Sequence, residues 1–312
     1  MGKSQRLEDR LAALDELRRD PTSSETLAAL RKALTLKDNY VVGRAAEIAG
    51  QFQLTELEPD LMVAFDRFMV NAQKTDPGCA AKRAIAEALY RMESHQAEVY
   101  LQGVGYVQLE SVWGGKEDTA AALRAVCALA LVRINYPNVM LELAQLLADP
   151  EPEARVAAAR AIGYAGLDAG VPLLRFKALI GDTHPPVLVE CFTALLQLAP
   201  EPSLAFVAGF LQREDRALQE AAAVALGESH LVQAFPFLET AWEDAFEPEL
   251  RQMLVLAMAL LRHERALDFL LSLVRRGGTR GAEALSALGM YRDDERIWPR
   301  VAEALEEGQK DE

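Results

Sequence analysis

Side chains able to do chemistry are few along these 312 residues, and they do not gather. Cys79, Cys127 and Cys191 are an odd number with no close spacing, so neither a disulfide framework nor a CxxC metal site can be drawn; they read as thiols of a reducing compartment. Cys79 follows Asp76-Pro77 near a helix start with Lys82 close by, a setting that can lower a thiol pKa. No histidine is near it in sequence to complete a nucleophile pair, and a small semi-buried residue is the simpler role. Cys127 and Cys191 fall in alanine-rich helical stretches and read as packing. His95, His184, His230 and His263 are scattered, with no HExxH pair, so no metal and no cofactor is expected. Gly2-Lys3-Ser4 has the end of a phosphate loop without its upstream glycine or strand. Arg275-Arg276-Gly277-Gly278-Thr279-Arg280 could cradle an anion, yet basic residues followed by glycine are the ordinary ending of a helix. With no converging carboxylate pair or triad, the expectation is a chain that is not an enzyme.

The segment most able to carry a binding site is Gln102 to Glu117, which holds four of the 19 glycines and one of the three tryptophans. Gly103 and Gly105 weaken the helix expected there, so a loop or broken helix is predicted. Trp113-Gly114-Gly115 would give an aromatic platform beside free backbone N–H groups. Alternatively, Val112 and Trp113 cover the sides of neighbouring helices. The candidate partner-binding residues are Tyr106, Glu110, Trp113, Gly114, Gly115 and Lys116.

What must position these residues is a repeat. Four segments place an Asp six residues before a Lys or Arg and then run into an alanine-rich stretch: Asp38 to Arg44, Asp76 to Lys82, Asp118 to Arg124 and Asp149 to Arg155. Pro77 and Pro150 follow two of these Asp residues directly, which reads as an N-cap and a first helical proline. In this register a small residue falls at Gly50, Ala88, Ala130, Ala161, Ala225, Ala257 and Ala287, with Leu195 the exception. An apolar residue follows each, except at Gln51. Eight units result, stretched at first and then spaced 30 to 34 residues apart; the segment 102–117 widens one spacing to 42. Second helices with apolar residues at three- and four-residue steps lie between the alanine-rich ones. The expectation is an all-α protein, a single right-handed α-solenoid of about eight helix pairs over 22–308. Residues 1–20 would be a capping helix ended by Pro21, 102–117 an inserted loop, and 309–312 an acidic tail.

The units resemble HEAT repeats, especially the short HEAT-like repeats of phycobilisome lyases. The match is best in Asp149-Pro-Glu-Pro-Glu-Ala-Arg-Val-Ala-Ala-Ala-Arg-Ala-Ile-Gly163. The resemblance implies an Asp–Arg ladder between neighbouring units through Asp38, Arg44, Asp76, Lys82, Asp118, Arg124, Asp149 and Arg155, fading after the fourth. Six helical steps turn about 240°, so an Asp and its own Arg do not share a face and pairing with the next unit is expected. Deoxyhypusine hydroxylases, also HEAT-like, ligate iron through repeated His-Glu dipeptides; the single His263-Glu264 here does not suffice.

Charge narrows the function. The net charge is −14, with 17 basic and 21 acidic residues in 1–150 and 16 and 26 in the rest. That balance opposes nucleic-acid binding, which is dominated by phosphate neutralisation. No uncharged stretch exceeds eleven residues, well short of the ~18 of a membrane span, and no apolar leader opens the chain, so a cytoplasmic protein is expected. The leading function is a binding scaffold that engages a protein or peptide through its concave surface and the inserted loop. The alternatives are a DNA enzyme similar to the HEAT-like alkylpurine glycosylases, using Trp113, Glu110, Arg124 and Arg155, and a handler of bilin chromophores. Oligomeric state is not legible.

Overall fold

The computed structural model describes residues 3–308; the expected acidic tail, 309–312, lies outside them. The fold is an all-α solenoid of HEAT-like helix pairs, divided into two compact units, Met1–Ala165 and Gly166–Glu312. Among the described residues no helix is long and apolar enough to cross a membrane.

The first unit contains α1 (Lys3–Glu16), α2 (Ser24–Leu34), α3 (Asn39–Gln51), α4 (Glu58–Met69), the single turn α5 (Ala72–Thr75), α6 (Ala80–Arg91) and α7 (Ala97–Val104). It continues with strands β1 (Leu109–Val112) and β2 (Gly115–Asp118), then α8 (Ala121–Arg133), α9 (Val139–Leu146) and α10 (Pro152–Ala165). The alanine-rich helices α3, α6, α8 and α10 stack in sequence as one layer, while α2, α4, α7 and α9 pack against them as the second. α1 caps the stack by lying on α3.

The second unit contains α11 (Gly170–Ile180), α12 (Pro185–Leu198), α13 (Pro200–Ala208), α14 (Arg216–Glu228), α15 (Phe235–Asp244), α16 (Pro248–Leu260), α17 (Glu264–Arg276), α18 (Gly278–Leu288) and α19 (Trp298–Gly308). Here α12, α14, α16 and α18 form the alanine-rich layer, backed by α11, α13, α15 and α17, with α19 closing on α17.

Small residues set the layer spacing. A Cβ built on Gly50 would lie 2.6 Å from the Cα of Ala88, the equivalent position one repeat later. On Gly227 it would lie 2.6 Å from the carbonyl oxygen of Ala257. The small–apolar pairs of the repeat are therefore the seam where successive helices meet, and Ala88, Ala130, Ala161, Ala225 and Ala257 are all buried.

The segment 102–117 departs from expectation. α7 runs straight through Gly103, whose missing side chain is what lets α7 close on α8: a Cβ there would come within 2.3 Å of Cys127 Sγ. Beyond it the chain forms an antiparallel hairpin rather than a loop, pairing Leu109 with Asp118 and Val112 with Gly115. Gly114, at φ 98°, occupies the turn position that needs a left-handed residue.

Gly50→Ala is expected to destabilise by about 1–3 kcal/mol, because overpacking against backbone outweighs the ~1 kcal/mol gain in helix propensity. Gly105→Ala, whose Cβ would meet nothing within 4 Å, serves as the control. Urea unfolding of both variants checks this; equal midpoints would show that the seam has slack.

Candidate functional site

The hairpin is mounted on a kink between α5 and α6. Asp76, Pro77, Gly78 and Cys79 separate these helices, with Gly78 at φ 72° and Cys79 at φ 53°, two consecutive left-handed residues. Pro77 thus opens a short turn, and α6 itself begins only at Ala80. The fully buried Asp76 carboxylate still reaches the start of that helix, accepting from the backbone N–H of Ala81 (2.8 Å) and Lys82 (3.1 Å). It also accepts from Lys82 Nζ at 2.8 Å and from Asn39 Nδ2 at 3.1 Å. Only Asp38 among the four repeat Asp residues caps its helix at the first position, through the N–H groups of Tyr40 and Val41.

Polar side chains fasten the hairpin to this kink. Gln108 Nε2 donates to the Asp76 carbonyl at 2.8 Å and to Glu110 Oε1 at 2.6 Å. Glu110 Oε1 further accepts the Gly78 N–H at 2.7 Å and the Thr119 hydroxyl at 3.1 Å. Gln73 Nε2 donates to the Leu109 carbonyl at 2.7 Å. Burial pushes the Glu110 carboxyl up, but the donors from Gln108, Gly78 and Thr119 overcome it and hold the pKa below the usual range. Asp118 behaves alike: burial raises it, and the N–H groups of Gln108 and Ala120 with the Arg124 guanidinium bring it down. Tyr106 is half-buried; its hydroxyl donates to Gln108 Oε1, its ring stands 5.3 Å from Lys82 Nζ, and its carbonyl accepts from Arg124 at 2.8 Å.

The six candidate binding residues therefore separate. Tyr106 and Glu110 belong to the base and spend their polar atoms inside the molecule. Trp113, Gly114, Gly115 and Lys116 form the exposed tip. Trp113 is 104% exposed and Val112 45%, so neither covers a helix. Gln73, Asn39, Gln108 and Thr119 had no signal in the repeat pattern; the first three act through contacts 32 to 37 residues away, and Thr119 through Glu110 across the hairpin.

The ladder residues are arranged in more than one way. Lys82 pairs with Asp76 of its own unit, and Arg124 joins its own Asp118 (2.7 Å) to Asp149 of the next (2.8 Å). Own-unit pairing is possible because these Asp residues precede the helix and fold back over its first turn, so the 240° separation along a helix does not apply to them. Arg155 Nη1 donates to the carbonyls of Asp149 and Pro150. Arg44 instead grips Asp15 of the cap and Glu47, at 2.9 and 2.8 Å. The pattern also returns late, where Arg251, in ladder register, meets the buried Glu283 of the following unit at 3.3 Å.

Other reactive groups are sheltered. Burial lifts the thiol of Cys79 to about 12, more than the neighbouring Lys82 lowers it, and burial lifts Cys191 to about 12 as well. Cys127 is raised by the same cause. Among the described residues no group of three His, Cys, Asp or Glu side chains could hold a metal ion.

No protein-family model matches the sequence, and no curated protein matches it significantly. Among the solved structures similar in fold are these two. One is the complex of CpcE and CpcF of phycocyanin lyase from Nostoc sp. PCC7120, at 15% identity and TM-score 0.38, covering 89% of this chain and 93% of that one. The other is human deoxyhypusine hydroxylase, at 20% identity and TM-score 0.33, covering 83% and 91%. The expectation that the chain is not an enzyme is corrected here: these two similar structures are of a lyase and a hydroxylase.

Lys82→Ala is expected to cost about 3–5 kcal/mol, since it leaves the Asp76 carboxylate buried without its counter-charge; thermal and urea unfolding measure it. Native protein at pH 8 is expected to react with fewer than about one equivalent of a disulfide reagent such as DTNB, rising to all three thiols in guanidinium. Fast reaction of Cys79 in the native state would contradict its shielding.

Proposed function

We propose that the chain binds a protein or peptide partner, with the hairpin tip as the anchor and the neighbouring helices as its platform. One observation carries this reading: Trp113 stands fully in solvent at the end of a hairpin whose base is tied to the α5–α6 kink by three side-chain hydrogen bonds and braced internally by three more. A large apolar ring held in water on a pre-ordered support loses little conformational entropy on binding, and tryptophan is among the commonest anchors of interfaces.

The DNA-enzyme alternative is weakened by the position of its cations. Arg124 and Arg155 are buried in internal pairs and hydrogen bonds, and Glu110 faces the kink, so these residues do not offer a surface for phosphates. No particular observation favours bilin handling.

The test compares Trp113→Ala with Trp298→Ala, a half-buried tryptophan of the last helix, in capture of partners from native lysate followed by affinity measurement. Trp113→Ala is expected to weaken binding at least ~10-fold while shifting stability by no more than about 0.5 kcal/mol, as for a side chain that packs on nothing. Unchanged affinity in that variant would remove the hairpin from the interface.

A further inference from the structure

The capping helix leaves an open seam beside it. α1 is fastened along α3: Asp15 grips Arg44 through both carboxylate oxygens at 2.9 Å, and Arg18, in the turn just after α1, hydrogen-bonds Gln51. Its other side does not close against α2, and a cleft of about 510 Å³ remains between them. The walls are Ala13, Leu14 and Leu17 on one side and Ala29, Ala33 and Leu36 on the other, with Val41 of α3 as the floor. The two remaining lining residues are Arg10 and Lys32, both exposed, and neither side chain is in an ion pair or hydrogen bond among the described residues; no acidic side chain lines the cleft.

We propose that this cleft binds a single-chain anionic amphiphile of the fatty-carboxylate type, its chain along the apolar walls and its carboxylate against Arg10 and Lys32. Three features select that occupant. The volume lies within the roughly 300–1,000 Å³ of small-molecule sites, which are concave, mainly apolar and carry a few placed polar groups. The seven apolar lining residues span only Ala13 to Leu17 on one wall, Ala29 to Leu36 on the other and Val41 on the floor, no more than about two helical turns on either wall, too small a face for the ~1,000 Å² that a stable protein interface needs. The charge is also out of character: in a chain of net charge −14, two unpaired cations and no anion border an apolar slot, which complements an anionic head. Both long side chains can lay their methylenes along the slot and present their charge at its mouth. The inference is independent of the hairpin and its partner.

Titration with 11-(dansylamino)undecanoic acid at pH 7.4 and 0.15 M salt, read by fluorescence, tests it. Wild type is expected to give saturable one-to-one binding, displaced by dodecanoate and at least ~10-fold less effectively by dodecan-1-ol, which lacks the charge. The double variant Arg10→Glu/Lys32→Glu is expected to bind the probe at least ~10-fold more weakly at unchanged melting temperature. Ala29→Phe, which fills the slot without altering its charge, is expected to do the same and carries the test should the double variant fail to fold. Absence of saturable binding, equal displacement by the alcohol, or undiminished binding by the folded variants would overturn the proposal. So would displacement by an acidic amphipathic peptide but not by dodecanoate, since the occupant would then be a helix.

Discussion

The carboxylate of Asp76 sits at the point where three parts of the first unit meet, and it is completely withdrawn from water. A buried carboxylate is tolerated only when its lone pairs are filled and its charge is matched. Here the N–H groups of Ala81 and Lys82 fix it to the start of α6, Lys82 Nζ supplies the opposite charge, and Asn39 ties it to the start of α3. Its own backbone carbonyl receives Gln108, which brings in the hairpin. Removing any one partner would leave an unsatisfied group in a place that water does not reach, so stacking of the repeat, the kink and mounting of the hairpin depend on one another.

That dependence divides labour along the hairpin. The base is polar and fully engaged, so it transmits the rigidity of the helices. The tip is exposed and makes no such demands, leaving Trp113 free to meet something else. Gly78 contributes to the base through its backbone: at φ 72° its N–H turns toward Glu110, a conformation for which glycine incurs little steric cost.

A second constraint acts throughout both units. The alanine-rich helices approach so closely at Gly50 and Gly227 that even a methyl group would meet the backbone of the next helix. Such contact gains dispersion energy from many short-range pairs but leaves little volume for polar side chains. The most deeply buried ion pairs, Asp76–Lys82 and Asp118–Arg124–Asp149, therefore lie at the helix starts.

The helices were legible in the sequence because their signals are local: apolar steps of three and four, small–apolar pairs at a fixed phase, and Asp at the starts. The break at 102–117 was legible for the same reason, as a change in composition and spacing. Its form was not. Gly103 looked like a helix breaker and proved to be a packing contact with Cys127, a neighbour 24 positions later that only the stacked helices bring close. Whether Gln102 to Glu117 became a loop or a hairpin, and which of Tyr106, Glu110 and Trp113 turned outward, depended on Gln73, Asp76 and Gly78, more than 30 residues earlier. The cleft beside α1 likewise borders a helix held to α3 by the Asp15–Arg44 pair, two residues 29 positions apart. Periodicity along a chain specifies which face of a helix is buried; it does not specify what that face meets, since hydrogen bonds and close contacts are satisfied in space by residues that no local pattern pairs.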